Sequence, residues 1–118
     1  MPTTPRDRTT SGTITTNVAG QGNTVDVDVT SYCAAGIQVT GTWTGTLTFE
    51  ATVDGTNYGP IGATPAVGGL GVTTTTTANG IWSENIAGWL AIRVRATAAM
   101  TGSAVVTILA SLYGTGSS

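Results

Sequence analysis

Residues 37–55 read IQVTGTWTGTLTFEATVDG, with apolar or small residues at the odd positions Val39, Gly41, Trp43, Gly45, Leu47, Phe49, Ala51 and Val53. The even positions from Thr40 to Thr52 are polar, and all are threonine except Glu50. Side chains on a strand point alternately to opposite faces, so this period of two predicts one face toward a core and one toward solvent. Threonine suits the wet face because it is β-branched and still hydrogen-bonds. A three-residue hairpin loop at Trp43-Thr44-Gly45, with Gly45 left-handed, keeps Thr42 and Thr46 on one face. Asp54-Gly55 predicts a two-residue hairpin, with residues 56–61 returning as the partner strand and Tyr58 as its anchor.

The same alternation recurs along the chain. Val25, Val27 and Val29 alternate with Asp26 and Asp28. Further on, Leu90, Ile92, Val94 and Ala96 oppose Trp89, Ala91, Arg93 and Arg95, and in the closing strand Ala104, Val106, Ile108 and Ala110 oppose Val105, Thr107 and Leu109. Residues 81–86 group Trp82, Glu84 and Ile86, and a carboxylate on that side predicts an edge position. Residues 13–18 and 72–77 are weaker strands, and residues 62–71 form a glycine-rich loop. No helical period appears. The pattern predicts an all-β protein, a single antiparallel β-sandwich or jelly roll of about eight or nine strands over residues 13–113. Residues 1–12 lack apolar periodicity and read as an extended N-terminal arm, with Pro2 and Pro5 against a helix. Residues 114–118 read as a polar tail.

At 118 residues the chain is about one domain. Charge changes the picture more than length does. Only 8% of residues are charged and the net charge is −2, where about a quarter charged is usual. A surface so poor in charge predicts cover by neighbours, unless threonine, serine and asparagine supply the polarity instead. No basic patch marks a nucleic-acid partner, no apolar run approaches a membrane span, and the N-terminus has no apolar signal core. The single Cys33 fits synthesis in a reducing cytoplasm.

Candidate chemistry is sparse. Without His and with one Cys there is no catalytic triad, no zinc set and no phosphate-binding glycine motif. Asp26 and Asp28 share a strand face that reads first as solvated, with calcium as the lesser alternative. Glu50 and Glu84 carry no mark of a glycosidase pair. The expectation is a protein that is not an enzyme and uses no cofactor or metal. Arg93 and Arg95 project from one face, and cross-strand pairing with Glu50 or the aspartates is their first reading. Salt bridging between subunits is the second, suited to a planar guanidinium. Trp43 has core parity, Trp82 is ambiguous, and Trp89, on the arginine face, is best placed for a contact. The candidate interface comprises Arg6, Arg8, Trp89, Arg93, Arg95, Val105 and Leu109.

Three runs, VTGTWTGTLTFEATVDGTNY, NGIWSENIAGWLAIRVRAT and TGSAVVTILAS, resemble small β-sandwich proteins encoded among bacteriophage structural genes. That family reads G-T-W-x-G-T-x-x-F-E-x-S-x-D-G, then x-V-A-G-x-x-x-x-R-V-R, then S-G-x-x-x-V-x-L-x-A-S. The resemblance covers roughly residues 21–111 and departs at Ala51-Thr52 and at Trp89. It implies a jelly-roll or galactose-binding-like sandwich that assembles into the virion as a head decoration or cement protein, or as a tail accessory. The expectation is a virion structural protein, made in the host bacterial cytoplasm, that coats or stabilises the particle as a homo-oligomer. Its partners would be itself and other virion proteins such as the major capsid protein, with the arm as tether and neither nucleic acid nor membrane involved. The alternative is a carbohydrate-binding or host-recognition module of a tail or fibre, with Trp82 and Trp89 against a glycan.

Overall fold

A computed structural model describes residues 8–15, 24–67, 71–97 and 99–111. Ten strands follow in order: β1 (Arg8–Ile14), β2 (Thr24–Asp28), β3 (Ala34–Thr44), β4 (Leu47–Thr52), β5 (Gly59–Pro60), β6 (Thr64–Pro65), β7 (Thr75–Thr76), β8 (Gly80–Asn85), β9 (Ala91–Ala96) and β10 (Thr101–Ser111). They form two antiparallel sheets. Sheet A has the order β1-β10-β3-β8-β6, and sheet B the order β2-β9-β4-β5, with β7 also on β4. Two sheets packed face to face make the β-sandwich that the alternation predicts. The strand beyond nine is β6, a two-residue segment inside the stretch read as a glycine-rich loop.

The core is the sum of the inward rows. Sheet A contributes Ala35, Ile37, Val39, Trp82, Ala104, Val106, Ile108 and Ala110; sheet B contributes Val25, Val27, Leu47, Phe49, Ile92, Val94 and Ala96. Phe49 and Trp82 meet across the sandwich with ring centroids 5.2 Å apart, a tilted geometry that suits the ring quadrupoles.

Several expectations are corrected. Residues 37–55 do not form one hairpin, because β3 is already flanked by β10 and β8, so β4 must enter the opposite sheet. Gly45 makes the crossing. Its φ is +132°, and a Cβ there would lie 2.5 Å from the Met100 Cβ, which only glycine avoids. Asp54-Gly55 is part of a longer loop, since β4 pairs with β5 through Glu50↔Pro60 and Ala51↔Gly59. Arg8 to Gly12, read as arm, pair with β10 from Ala110 to Val106; only Ile14 of β1 reaches the core, so apolar periodicity could not reveal this strand. Residues 1–7, with Arg6, and the tail at 114–118 lie outside the described residues.

Candidate functional site

The outer face of sheet B is built around β9. Arg93 sits in register between Asp26 of β2 and Glu50 of β4, and Arg95 between Thr24 and Thr48. Both arginines converge on Glu50. Arg93 Nε donates to Oε1 at 2.7 Å, Arg95 Nε to Oε1 at 3.0 Å, and Arg95 Nη2 to Oε2 at 2.9 Å. The Arg93 guanidinium also lies 3.8 Å from the centre of the Tyr58 ring, a cation–π contact. Burial alone would push the Glu50 carboxyl up; hydrogen bonds from Arg95 and Arg93, with their charges, outweigh it and hold Glu50 below the usual glutamate value. The Glu50 bond in turn raises Arg95. Cross-strand pairing is what occupies these side chains, and the cluster clips β9 to β4.

Next to it, Asp54 shapes the loop after β4. Its Oδ1 accepts from the Asn57 and Thr56 amides, both at 2.8 Å, and from the Thr52 hydroxyl, while Oδ2 accepts from Asn57 Nδ2. Led by the Asn57 and Thr56 amides, these bonds lower the Asp54 carboxyl strongly. On β2, the Thr30 amide donates to Asp28 at 2.9 Å and lowers it too. Arg8, exposed at the start of β1, adds a weaker attraction for Asp28.

The outer face of sheet A has the opposite chemistry. Its rows are Thr9, Ser11 and Thr13 on β1; Val105, Thr107 and Leu109 on β10; Gln38, Thr40 and Thr42 on β3; and Ile81, Ser83 and Asn85 on β8. No described residue on this face is charged. Threonine and serine pair across strands, as in Ser11–Thr107 at 3.0 Å and Thr44–Thr101 at 2.5 Å. Leu109 is 41% exposed and Ile81 54%, and with Gly36, Gln38 and Thr107 they line a shallow depression of about 200 Å³. A second groove of about 390 Å³ lies beyond β8, lined by Pro65, Val67, Thr73, Asn79, Ile81 and Trp82. Of the candidate interface residues, Leu109 is exposed here and Val105 is half-buried.

The tryptophans are held from within. Trp82 is buried. Trp43 is half-buried and donates Nε1–H to Asn79 Oδ1 at 2.7 Å, and Asn79 Nδ2 donates to the Gly41 carbonyl. Trp89 packs against the core and donates Nε1–H to the Asn85 carbonyl at 3.2 Å. Its expected place beside the arginines is therefore corrected, as is the core place of Leu90, which is 37% exposed. The chain bends before β9, with the Leu90 amide on the Thr52 carbonyl and the Leu90 carbonyl on the Val29 amide, so strand parity does not extend back to 89–90.

Glu84 is the residue that alternation flagged without explaining. It faces inward between Trp82 and Ile86 on β8, in register with Ala35 of β3. With β6 outside β8, it is not on an edge strand. Both carboxyl oxygens are buried without a hydrogen-bond partner among the described residues, and burial pushes this group up to about 8. It is therefore chiefly protonated at neutral pH.

No protein-family model matches the sequence, and no curated protein sequence matches it. Two solved structures share the fold. The SPBc2 prophage-derived protein YomS superposes with a TM-score of 0.70 at 16% identity, over 93% of this chain and 98% of that one. The PBSX exported protein XepA gives the same TM-score and identity, over 92% of this chain but only 39% of XepA.

Proposed function

We propose that this protein is a non-enzymatic structural protein of a phage virion, a capsid decoration or cement protein that coats the particle through subunit contacts. The observation that carries the reading is the outer face of sheet A, on which no described residue of the five strands is charged. Burying such a face against a neighbour takes no charge out of water, and its threonine hydroxyls can satisfy hydrogen bonds at the contact. A prophage-derived protein with the same sandwich supports the phage setting. Leu109 and Val105 act at the contact in this reading. Glycan recognition has less support, since all three indole rings are packed or hydrogen-bonded inside the domain.

The test is on particles. Virions are purified through a density gradient and the copy number of this protein is measured against the major capsid protein. The reading expects a fixed ratio that survives repeated banding. Protein that stays in the lysate while complete particles lack it would overturn the proposal, and binding on a glycan array would favour the rival.

A further inference from the structure

A sandwich of two open sheets has four edges, and edges left unpaired recruit other strands unless something blocks them. Three edges here are blocked. β6 ends sheet A with two residues, Thr64 and Pro65. β5 and β7 flank β4 with two residues each, and β5 ends in Pro60. At the opposite edge of sheet B, β2 is short and carries Asp26 and Asp28 at its exposed positions. The fourth edge, β1, is the least protected. It is seven residues long, RTTSGTI, with no proline and with its one charge at the first position. Its pairing with β10 runs unbroken from Arg8 to Ile14, so no bulge turns it away, and no described residue pairs with its free side.

We propose that β1 is a pairing edge whose partner is β1 of a second copy, added antiparallel about a two-fold axis through Ser11. The second copy is the occupant because the other three edges of any neighbouring copy are blocked, which leaves β1 itself. A two-fold contact requires a self-complementary surface, and this strand is one. Ser11 is its midpoint, so Ser11 meets Ser11, Thr9 meets Thr13, and Thr10 meets Gly12. The Ser11–Ser11 and Thr9–Thr13 hydroxyl pairs favour cross-strand pairing, and no like charges oppose each other along the seam. The product is a continuous sheet of ten strands whose outer face remains free of charge among the described residues. Asp26 and Asp28 keep the neighbouring β2 edges from joining in the same way.

This inference deepens the self-association part of the proposed function, and it is tested on the isolated protein so that its failure is separate from absence from the particle. Sedimentation velocity up to millimolar concentration, with hydrogen exchange at each concentration, should show a dimer whose β1 amides gain protection as it forms. The variant Thr9→Lys/Ser11→Lys/Thr13→Lys opposes three pairs of like charges across the seam, and its dimerisation should weaken on the order of a hundredfold. A matched variant on exposed positions away from both the edge and the outer face of sheet A, Thr56→Lys/Thr74→Lys/Thr77→Lys, should dimerise within about twofold of the parent. Circular dichroism melting verifies that both variants fold, and the exchange data on the parent stand if either does not. A monomer at every concentration, a dimer whose β1 amides exchange as in the monomer, or dimerisation unmoved by the β1 lysines would each overturn the proposal.

Discussion

The two outer faces of this sandwich come from the same alternation and carry opposite chemistry. Sheet B presents Asp26, Asp28, Glu50, Arg93 and Arg95. Sheet A presents threonine, serine, glutamine, asparagine and a few aliphatic side chains. On sheet B, the Glu50 carboxylate is held by two arginines of the next strand. On sheet A, the absence of charge removes the desolvation cost that would oppose burial against another molecule. The contrast extends to two glutamates of similar burial, Glu50 at 4% exposure and Glu84 at 5%. Two arginines hold Glu50 ionised, while an apolar setting holds Glu84 protonated.

The largest expected effect sharpens the comparison between those glutamates. Glu84 titrates near 8 in the folded protein and near the ordinary glutamate value when unfolded. A raised folded value means that the stability is fully present below the unfolded pKa and is lost as pH rises through about 8. The loss between those limits is about 3–5 kcal/mol, and Glu84→Gln should remove most of that pH dependence. Urea denaturation across the pH range measures both. A parent protein equally stable at pH 5 and pH 9 would break the contrast.

Next comes Glu50→Ala, which leaves Arg93 and Arg95 facing a gap. The arginines retain about a quarter of their side-chain exposure, so water relieves part of the cost. We expect a loss of about 2–4 kcal/mol at pH 7, read by the same denaturation. Sheet A should respond far less to a change on its outer face. Ile81→Asp and Leu109→Asp should each shift folding stability by no more than about 0.5 kcal/mol, since both side chains are already wet.

The sandwich was legible because β2, β9 and β10 alternate cleanly, and valine and isoleucine on one parity can only mean a shared core. Pairing was less legible. Parity is the same whether the chain turns back at Gly45 or crosses to the other sheet, and the occupied flanks of β3 decide that. β4 hides both of its faces, with Thr48, Glu50 and Thr52 buried, because it lies inside sheet B with the arginines over Glu50 and Thr97 bonded to Thr48. The Glu50 cluster itself was within reach of sequence, as one strand carrying two arginines needs a carboxylate nearby. β1 was not, since an edge of threonines has no apolar period to read.

The central claim is that the charge-free face of sheet A, and not the ion-paired face of sheet B, meets the particle. Its most direct measurement is the binding of purified protein to particles stripped of it, comparing Ile81→Asp/Leu109→Asp with Asp26→Asn/Asp28→Asn. We expect the sheet A variant to remain folded and lose attachment by tenfold or more, on the order of 1.4 kcal/mol, while the sheet B variant binds as the parent does. Normal attachment by the sheet A variant, with loss confined to the sheet B variant, would contradict the account.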